Sequence, residues 1–373
     1  MKRFIYADNA ATTKLDIDAF EAMKPYLLEE YGNASQPYVF ARKPRKALKE
    51  ARSVIASCIN AEPEEIFFTS GGTESNNWVL KSLTSNNQSG IITSAIEHHS
   101  VLNAVESATK NSGLAAYLPP TNEGVVLPSV LKKTLSPETK LVSIMFANNE
   151  IGTIQPIKEL CEIAHEHGAL FHTDAVQAVG HVKIDVKELG VDFLSASAHK
   201  FNGPKGIGFL YIKKGIKIAP LLNGGAQEFQ MRAGTENVAA IVGMAVALEK
   251  NCNNLQTNQE HLRALEKKFI DELNIQDIRF VRNGASERIP GNISLSFQNA
   301  DGEALLHLLD LRGIAVSTGS ACDSVHTQIS HVLKAIALDE SYAKGTIRIS
   351  LGVNNSIEEI PLMVDAIKYA LKV

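Results

Sequence analysis

The sequence lacks the features of a disulfide-stabilised, membrane-spanning or strongly charged protein. Its 4 cysteines stand singly, without a CxxC pair, which argues against a disulfide framework and against a zinc site. The 37 Lys and Arg residues nearly balance the 41 Asp and Glu residues, and the net charge of −4 gives no strong electrostatic footprint for nucleic acid or an acidic membrane. The longest apolar run, residues 239–248, is much shorter than the roughly 18–20 residues that cross a bilayer. The first residues also lack the apolar core of a secretory signal, so we expect a cytoplasmic protein with a small-molecule partner and no membrane partner.

The chain has the length and pattern of a two-domain α/β protein. With 373 residues, of which 45% are hydrophobic and 21% charged, it can bury an ample core. Short apolar runs alternate with helical patterns between residues 15 and 250. These runs lack strict alternation, which is typical of strands covered by helices on both faces of a mostly parallel sheet. The predicted strands cover residues 66–69, 90–93, 141–145, 169–172, 193–195 and 208–212.

A polar stretch at residues 251–254 predicts the start of a second, smaller α/β unit, which opens with a long amphipathic helix. Strands are predicted after it at residues 278–281, 292–297 and 346–350, and helices at residues 302–312, 327–337 and 356–372. Ser356 and Glu359 have the spacing of a capping box for the last helix. We therefore expect a large domain over residues 15–255 and a smaller domain over residues 256–373, to which residues 1–14 return.

The most basic part of the chain, residues 42–52, is interpreted as the solvated face of a helix. Nucleic-acid binding at this face is the alternative. The balanced charge of the whole chain favours the solvated face.

Residues 66–77 have the pattern of a strand, a tight glycine turn and the start of a helix. Free backbone N–H groups and the positive end of the helix dipole favour an anion at such a turn, and Gly71 and Gly72 let the backbone approach it. Thr73 adds a hydroxyl donor. Because the spacing matches neither a Walker A motif nor GxGxxG, we expect a phosphate that does not belong to a nucleotide. A plain turn without a ligand is the alternative.

Asp174 and Lys200 each follow a predicted buried strand, at the sheet edge where ligands of open α/β folds collect. A buried carboxylate is costly without a positive partner, and a protonated pyridinium nitrogen is one such partner. The alternative is an aspartate that caps the next helix. Lys200 stands among small residues, a histidine and a glycine-rich loop, which favours an amine that forms an imine over a surface ion pair.

A phosphate cradle, a strand-end aspartate and a strand-end lysine, in that order, are the parts of a pyridoxal phosphate (PLP) site. One cofactor explains all three, because the lysine forms a Schiff base, the aspartate keeps the ring nitrogen protonated and the helix terminus holds the phosphate. His98 follows another strand and is placed to lay an imidazole on the ring. A loop or core histidine is the alternative for His98.

Beyond these parts, the sequence resembles the cysteine desulfurases of the NifS/IscS type, within the class V aminotransferases, nearly from end to end. The segments that carry the resemblance are residues 7–13, 69–76, 97–98, 148–152, 173–177, 197–200, 232–237 and 317–322, together with Arg348. The resemblance implies a fold-type I PLP-dependent transferase that forms a homodimer. It also implies a large domain with a mostly parallel central sheet and a smaller C-terminal α/β domain.

The resemblance implies roles for individual residues. Lys200 would bind the cofactor covalently, and His98 would stack on the cofactor ring. Asp174 would meet the ring nitrogen and Gln177 the phenolic oxygen. The implied phosphate ligands are Gly72, Thr73, Ser197 and His199, with Thr235 from the other subunit. Arg348 would bind the substrate carboxylate together with Asn149, a role that suits a bidentate guanidinium. Asn149 would also contact the cofactor.

Cys322 distinguishes a desulfurase from a plain transaminase. It lies near serine and glycine residues on a polar loop, which favours an exposed nucleophile that moves; a structural thiol is the alternative. Cys58, Cys161 and Cys252 fall in helical patterns and are interpreted as core thiols. The implied reaction converts L-cysteine to L-alanine, leaves a persulfide on Cys322 and passes the sulfur to an acceptor protein, with iron–sulfur cluster assembly as one such pathway.

Two other functions stay open at this point. A selenocysteine lyase or another PLP-dependent β-eliminase would keep every cofactor residue, and a non-catalytic scaffold would keep only the fold. Residues 33–37, 223–226 and 328–330 depart from the usual family sequence and leave substrate preference and sulfur acceptor open. Asp323 directly follows Cys322 and is expected to raise the pKa of that thiol.

Overall fold

Strands and helices alternate along most of the chain, as the sequence predicts. The computed structural model describes residues 4–83, 89–110, 114–319 and 329–372. Its strands are β1 (Ile5–Tyr6), β2 (Ile66–Thr69), β3 (Gly90–Ser94), β4 (Ala115–Leu118), β5 (Thr139–Ser143), β6 (Leu170–Asp174), β7 (Phe193–Ser197), β8 (Gly208–Ile212), β9 (Val281–Arg282), β10 (Asn292–Ser296), β11 (Ile314–Ala315) and β12 (Thr346–Ser350). Its α-helices are α1 (Ile17–Leu28), α2 (Arg42–Cys58), α3 (Gly72–Ser82), α4 (His99–Thr109), α5 (Pro128–Thr134), α6 (Ile157–Glu166), α7 (Val186–Leu189), α8 (Val238–Asn253), α9 (Leu255–Ile275), α10 (Gly302–Leu311), α11 (His331–Ala335), α12 (Glu340–Ala343) and α13 (Glu359–Ala370). Cys322, Asp323 and Gln328 lie outside the described residues, so the predictions for them stay predictions.

A seven-stranded sheet organises the first two thirds of the described chain, in the order β2-β8-β7-β6-β5-β3-β4. The strands β7, β6, β5, β3 and β4 run parallel, whereas β8 pairs antiparallel with both β2 and β7. Parallel strands end at the same edge of a sheet. The residues that end β6 and β7 therefore lie side by side at one edge, which is the edge that ligands use in open α/β sheets.

Consecutive residues of the parallel strands belong to two different hydrophobic cores. Phe171 and Leu194 pack with residues of α2, α6 and α8 on one face, whereas their neighbours Leu170 and Phe193 pack with residues of α3 and α4 on the other. Successive side chains of a strand point to opposite faces. Because both faces are covered, these strands have continuous apolar sequences without alternation.

A separate hydrophobic core forms from the ends of the chain. It combines residues of β1, β10, β12, α9, α10 and α13. The strand β1 pairs in parallel with β11, and β10 pairs antiparallel with β12 and β9. The pairing of β1 brings the first described residues beside strands more than 300 positions away in sequence.

The observed elements differ from the predicted ones mainly at their ends. The strand β5 begins two residues before the predicted strand and also ends two residues before it, at Ser143. Within the described residues the helix predicted over 327–337 is limited to α11 (His331–Ala335), and Ala337 then adopts a left-handed φ of 55°, a conformation that follows helix ends. For the last helix, the Ser356 N–H donates to the Glu359 carboxylate at 3.2 Å, one half of the predicted capping box.

Arg52 contradicts the prediction of a solvated basic face on α2. Its guanidinium forms two hydrogen bonds with the carboxylate of Glu228, at 2.6 and 2.8 Å, and both side chains are largely buried. The guanidinium also lies against the rings of Phe68 and Phe229. The sequence pattern missed this ion pair because the two charged residues are 176 positions apart.

Among the described helices, none combines the length and apolarity that spanning a membrane requires.

Candidate active site

A cavity of about 560 Å³ opens at the carboxyl ends of β6 and β7. Volumes of this order hold a cofactor-sized molecule. The cavity collects residues from distant parts of the chain, because β6, β7, the turn before α3, the turn before α4 and β12 all end or pass there. Its lining includes Gly72, Thr73, His98, Asn149, Asp174, Gln177, Ser197, His199, Lys200 and Arg348. These are all of the predicted site residues within the described ranges except Thr235.

The predicted glycine turn leads from β2 into α3 at one end of this cavity. Gly71 precedes the helix with φ of 148°, a conformation that side chains rarely adopt. A Cβ on Gly72 would lie 2.5 Å from the side chain of Val176, so the turn packs too closely against the chain after β6 for any other residue. The first residues of α3 line the cavity, and the N–H groups of a first helical turn lack partners within the helix, which suits an anion.

Ser197 and His199 supply further polar groups near this turn. A Cβ on Gly71 would lie 3.3 Å from the hydroxyl of Ser197, which places that hydroxyl beside the turn. Burial, and after it the charges of Lys200 and Lys205, lower the pKa of His199 to about 4. The imidazole of His199 is therefore neutral at pH 7, and its Nδ1 lies 3.2 Å from the hydroxyl of Thr12.

Asp174 is the last residue of β6 and is only 6% exposed. Its Oδ2 accepts a hydrogen bond of 2.7 Å from Nδ2 of Asn76, and its Oδ1 accepts one of 3.0 Å from the N–H of Val176. The alternative role as a helix cap is wrong, because turns rather than a helix follow β6 and the next described helix is α7, beginning at Val186. The carboxylate is thus buried and oriented at the cavity wall, where a cationic ring N–H is a suitable partner.

Lys200 follows β7 on a short turn and is fixed at both its backbone and its amine. Its Nζ donates to the carbonyl oxygens of Ala10 and Ala11, at 2.6 and 2.8 Å. The Lys200 carbonyl is 2.8 Å from Nε2 of His181, which must donate to it. Gln177 joins the same group, since its Nε2 donates to the Ala10 carbonyl at 2.9 Å. The first described residues of the chain therefore complete the site of the predicted reactive amine.

His98 caps the N-terminus of α4 and holds one defined tautomer. The N–H of Ser100 donates to its Nδ1 at 3.1 Å, so the proton of the neutral ring is on Nε2. Burial lowers the pKa of His98, and the charges of Lys200 and His99 lower it further against the opposing effect of Asp174. A neutral ring suits a role as a flat surface beside an aromatic cofactor.

Arg348 lies on β12 with only 5% of its surface exposed, and it links the two ends of the chain to the cavity. Its guanidinium donates to the carbonyl of Asn149 at 3.0 Å and to the carboxylate of Asp8 at 2.7 Å. Its Nε is buried without a hydrogen-bond partner among the described residues. The residue nevertheless lines the cavity, where its charge suits a carboxylate ligand.

The donor set of the cavity fits PLP. Backbone N–H groups, the Ser197 hydroxyl and a neutral histidine surround one end, which suits a phosphate. Asp174 presents an ionisable acceptor at a separate point, which suits a pyridinium N–H, and the Lys200 amine lies on the same cavity.

Two predicted site residues are not brought to this cavity. Thr235 is exposed and is not among the residues that line the cavity within one chain. Cys322 lies outside the described residues, although Gly319, at the last described position before it, lines the cavity. The roles of both residues stay predictions.

Sequence reasoning missed the residues that orient the predicted ones. Asn76 orients Asp174, Ser100 orients His98 and Asp8 pairs with Arg348. Asp8 and Asn76 fall within segments that carry the family resemblance, which was the available signal. Their partners are 340 and 98 positions away, and no local pattern reports such a pairing.

Comparisons with known proteins extend over nearly the whole chain. The family model described as Aminotransferase class-V matches residues 5–363. A protein named cysteine desulfurase IscS, from Dictyoglomus turgidum, is 49% identical over 373 residues, which cover 99% of this chain and 94% of that protein. A solved structure of a NifS-like protein has a TM-score of 0.93 and 37% identity, covering 99% of this chain and 100% of that one. A solved structure of SspA in complex with cysteine has a TM-score of 0.83 and 35% identity, covering 93% of this chain and 99% of that one.

Proposed function

The chain belongs to the class-V aminotransferase family, and we propose that it is a PLP-dependent cysteine desulfurase that converts L-cysteine to L-alanine and transfers the sulfur through Cys322. The fold-type I architecture predicted from the sequence is confirmed by the similarity to the NifS-like structure. The observation that carries the proposal is the meeting of Lys200, Asp174, His98 and the glycine turn in one cavity that Arg348 also lines. The 49% identity to a named cysteine desulfurase supports the same reaction.

Bound PLP supplies an aldehyde carbon that captures the substrate amine and a ring that withdraws electrons from the captured substrate. Gly72, Thr73, Ser197 and His199 would hold its phosphate. The Asp174 carboxylate would keep the ring N–H in place, because Asn76 and the Val176 N–H fix both carboxylate oxygens. The remaining cofactor contacts are proposed for His98 on the ring face, Gln177 and Asn149 beside the ring, and Thr235 from a second subunit.

Lys200 is proposed to move the proton at Cα of the substrate. With PLP and L-cysteine bound, its Nζ would accept the Cα proton as a neutral amine. The Ala10 and Ala11 carbonyls, which accept hydrogen bonds from Nζ, give the released amine a fixed position. Because His181 anchors the backbone carbonyl of Lys200, the side chain moves while its attachment point stays in place.

Arg348 and Asn149 are proposed to bind the substrate carboxylate. Both residues line the cavity, and the guanidinium of Arg348 would supply the positive charge that the carboxylate needs. Asp8 neutralises part of the guanidinium charge at 2.7 Å and keeps its plane fixed when substrate is absent. The carboxylate of L-cysteine would then meet an oriented cation.

Cys322 is proposed as the nucleophile that takes the sulfur. Its thiolate attacks the sulfur of the substrate, the bond from that sulfur to Cβ breaks, and Cβ gains a proton, so that the carbon skeleton leaves as L-alanine. The sulfur stays on Cys322 as a persulfide. Gly319, the last described residue before Cys322, lines the cavity. After Cys322, the hydroxyl of Ser330 donates a hydrogen bond of 2.6 Å to Glu150, which is next to Asn149 in sequence. The described residues on both sides of Cys322 therefore lie close to the proposed substrate site.

The assembly, partners and compartment are part of the proposal. We propose a homodimer, in which the exposed Thr235 of each chain reaches the other cavity, and a sulfur-acceptor protein that takes the persulfide sulfur for a process such as iron–sulfur cluster assembly. The name of the relative in Dictyoglomus turgidum supports that process. We place the protein in the cytoplasm. The separate hydrophobic cores support a division into a domain of residues 15–255 and a domain of residues 1–14 with 256–373.

The test is a persulfide-trapping assay with L-cysteine on the purified enzyme, with alanine measured in parallel. We expect equal amounts of alanine and trapped persulfide, with the label on Cys322. Cys322→Ser should abolish sulfur transfer while leaving the absorbance of bound PLP intact, and Lys200→Ala should change that absorbance and stop both products. Full desulfurase turnover in the Cys322 variant would refute the proposed nucleophile, and a preference for selenocysteine would refute the proposed substrate.

A further inference from the structure

Two cysteines outside the active site face each other where α2 and α8 end. Cys58 is the last residue of α2, and Cys252 lies in the last turn of α8. Both side chains line one cavity beside these helix ends. The prediction of core thiols is confirmed for Cys161, which is buried in the core, whereas Cys58 and Cys252 are half-buried and pack against the same core.

Small molecules can reach this thiol pair. A cavity of about 230 Å³ is lined by both cysteines, by Asp185 and Lys183, and by Leu255 at the start of α9. The active-site cavity shares none of these residues. The pair is thus accessible at a site separate from the proposed reaction centre.

We propose that Cys58 and Cys252 are a redox modification site that a low-molecular-weight disulfide converts into an intramolecular disulfide. The Cys252 thiolate attacks one sulfur of the small disulfide and releases the first small thiol. The Cys58 thiolate then attacks the sulfur of Cys252 and releases the second small thiol. Two protein thiols are oxidised and one small disulfide is reduced to two thiols, so atoms and electrons balance.

The two thiols differ in how their environment affects ionisation. Interaction with Cys58 lowers the pKa of Cys252, whereas interaction with Cys252, and after it burial, raises the pKa of Cys58. Cys252 therefore supplies the first thiolate. Cys58, which lines the same cavity, is the resolving thiol that a mixed disulfide requires.

The position of the bond gives it a structural consequence. The bond would join two helices that pack together and would close a loop of about half the chain. It would also fix the end of α8 at the point where the chain passes into α9, whose residues Leu262 and Leu265 belong to the other hydrophobic core. A disulfide that closes a long loop stabilises mainly by restricting the unfolded chain. We expect the oxidised protein to unfold at a temperature about 5 °C higher than the reduced protein.

The experiment incubates the PLP-loaded enzyme with oxidised glutathione, blocks the remaining thiols and maps the peptides by mass spectrometry without reduction. We expect a linked pair of peptides that contain Cys58 and Cys252, lost after treatment with dithiothreitol. Cys58→Ser should instead give a glutathione adduct on Cys252, and this variant should keep its desulfurase activity. Cys161→Ala, the matched control at a thiol without a thiol neighbour, should still form the link.

Two results would overturn the proposal. The first is separate glutathione adducts on Cys58 and Cys252 of the unmodified sequence with no link between them. The second is a link that forms without raising the unfolding temperature relative to the reduced enzyme. Neither readout depends on turnover, so failure of the proposed desulfurase reaction would leave this test intact.

Discussion

Replacing Asn76 by alanine tests whether Asp174 is held in place for the ring nitrogen of the cofactor. Asn76 is fully buried on α3, and its Nδ2 donates to Asp174 at 2.7 Å. A hydrogen bond to a charged group contributes about 1.5–3 kcal/mol. In the variant, Asp174 keeps the N–H of Val176 at 3.0 Å, and its Oδ2 loses the amide. The carboxylate becomes less fixed and less stable as an anion.

The loss should appear in cofactor affinity and in turnover. Since every 1.4 kcal/mol changes an equilibrium constant tenfold, loss of the full hydrogen bond corresponds to a change of roughly 10- to 150-fold. Part of that loss affects the cofactor-free protein equally, so the upper figure is a limit. We expect the Kd for PLP to rise and kcat for alanine formation to fall, each by about tenfold. Titration of cofactor-free enzyme with PLP, followed by absorbance, measures the first quantity, and alanine release measures the second.

The matched control is Asn77→Ala on the same helix. Asn77 is half-buried, and its amide donates to the carbonyl of Thr73 within α3, at 3.0 Å, rather than to a residue of the site. The control should bind PLP and turn over L-cysteine like the unmodified enzyme. Equal PLP affinity in the Asn76 and Asn77 variants would refute the reasoning, provided that both variants unfold at temperatures near that of the unmodified enzyme.

Other buried charged groups give three further expectations. Burial raises the pKa of Glu97 to about 8, so between pH 4.5 and 8 the folded state holds a proton that the unfolded state releases. Stability therefore falls as pH rises through this range, and Glu97→Gln should flatten the slope in urea unfolding; an unchanged slope would contradict the assignment. Arg348→Lys should raise KM for L-cysteine about tenfold or more and change kcat less, because an ammonium lacks the paired donors of a guanidinium. An unaltered KM in steady-state kinetics would contradict this role. Arg52→Met should lower the free energy of unfolding by about 3–5 kcal/mol, since it leaves the buried carboxylate of Glu228 unpaired. The control Arg42→Met, on the exposed face of α2, should change the free energy of unfolding by less than about 0.5 kcal/mol. Equal urea midpoints for the two variants would count against the buried pair.

Much of the fold was predictable because the strands are covered on both faces. Runs such as residues 66–69 and 208–212 match β2 and β8 without a change of bounds. A strand with two buried faces has an uninterrupted apolar sequence, and the helices around it supply the breaks. The ends of elements were less predictable. After α11, for example, Ala337 adopts a left-handed conformation that is rare for alanine and that the sequence does not indicate.

The residues of the site were predictable where local sequence sets their position. The glycine turn and Lys200 each follow a strand, and Asp174 is the last residue of one. Parallel strands bring such positions to one edge. Their orienting partners were not predictable by the same means. Ala10 reaches Lys200 from 190 positions away, and its contact is a backbone carbonyl that any residue could supply.

The amino-acid sequence by itself determined the order of strands and helices, the turn that suits a phosphate and the reactive amine, because periodicity, glycine and charge act over a few neighbouring residues. Only the tertiary structure decided that Asp8 pairs with Arg348, that Arg52 is buried against Glu228 and that Cys58 meets Cys252. These contacts join residues from separate elements, and their energies depend on burial and distance, which the chain acquires only when the sheet and its helices have packed.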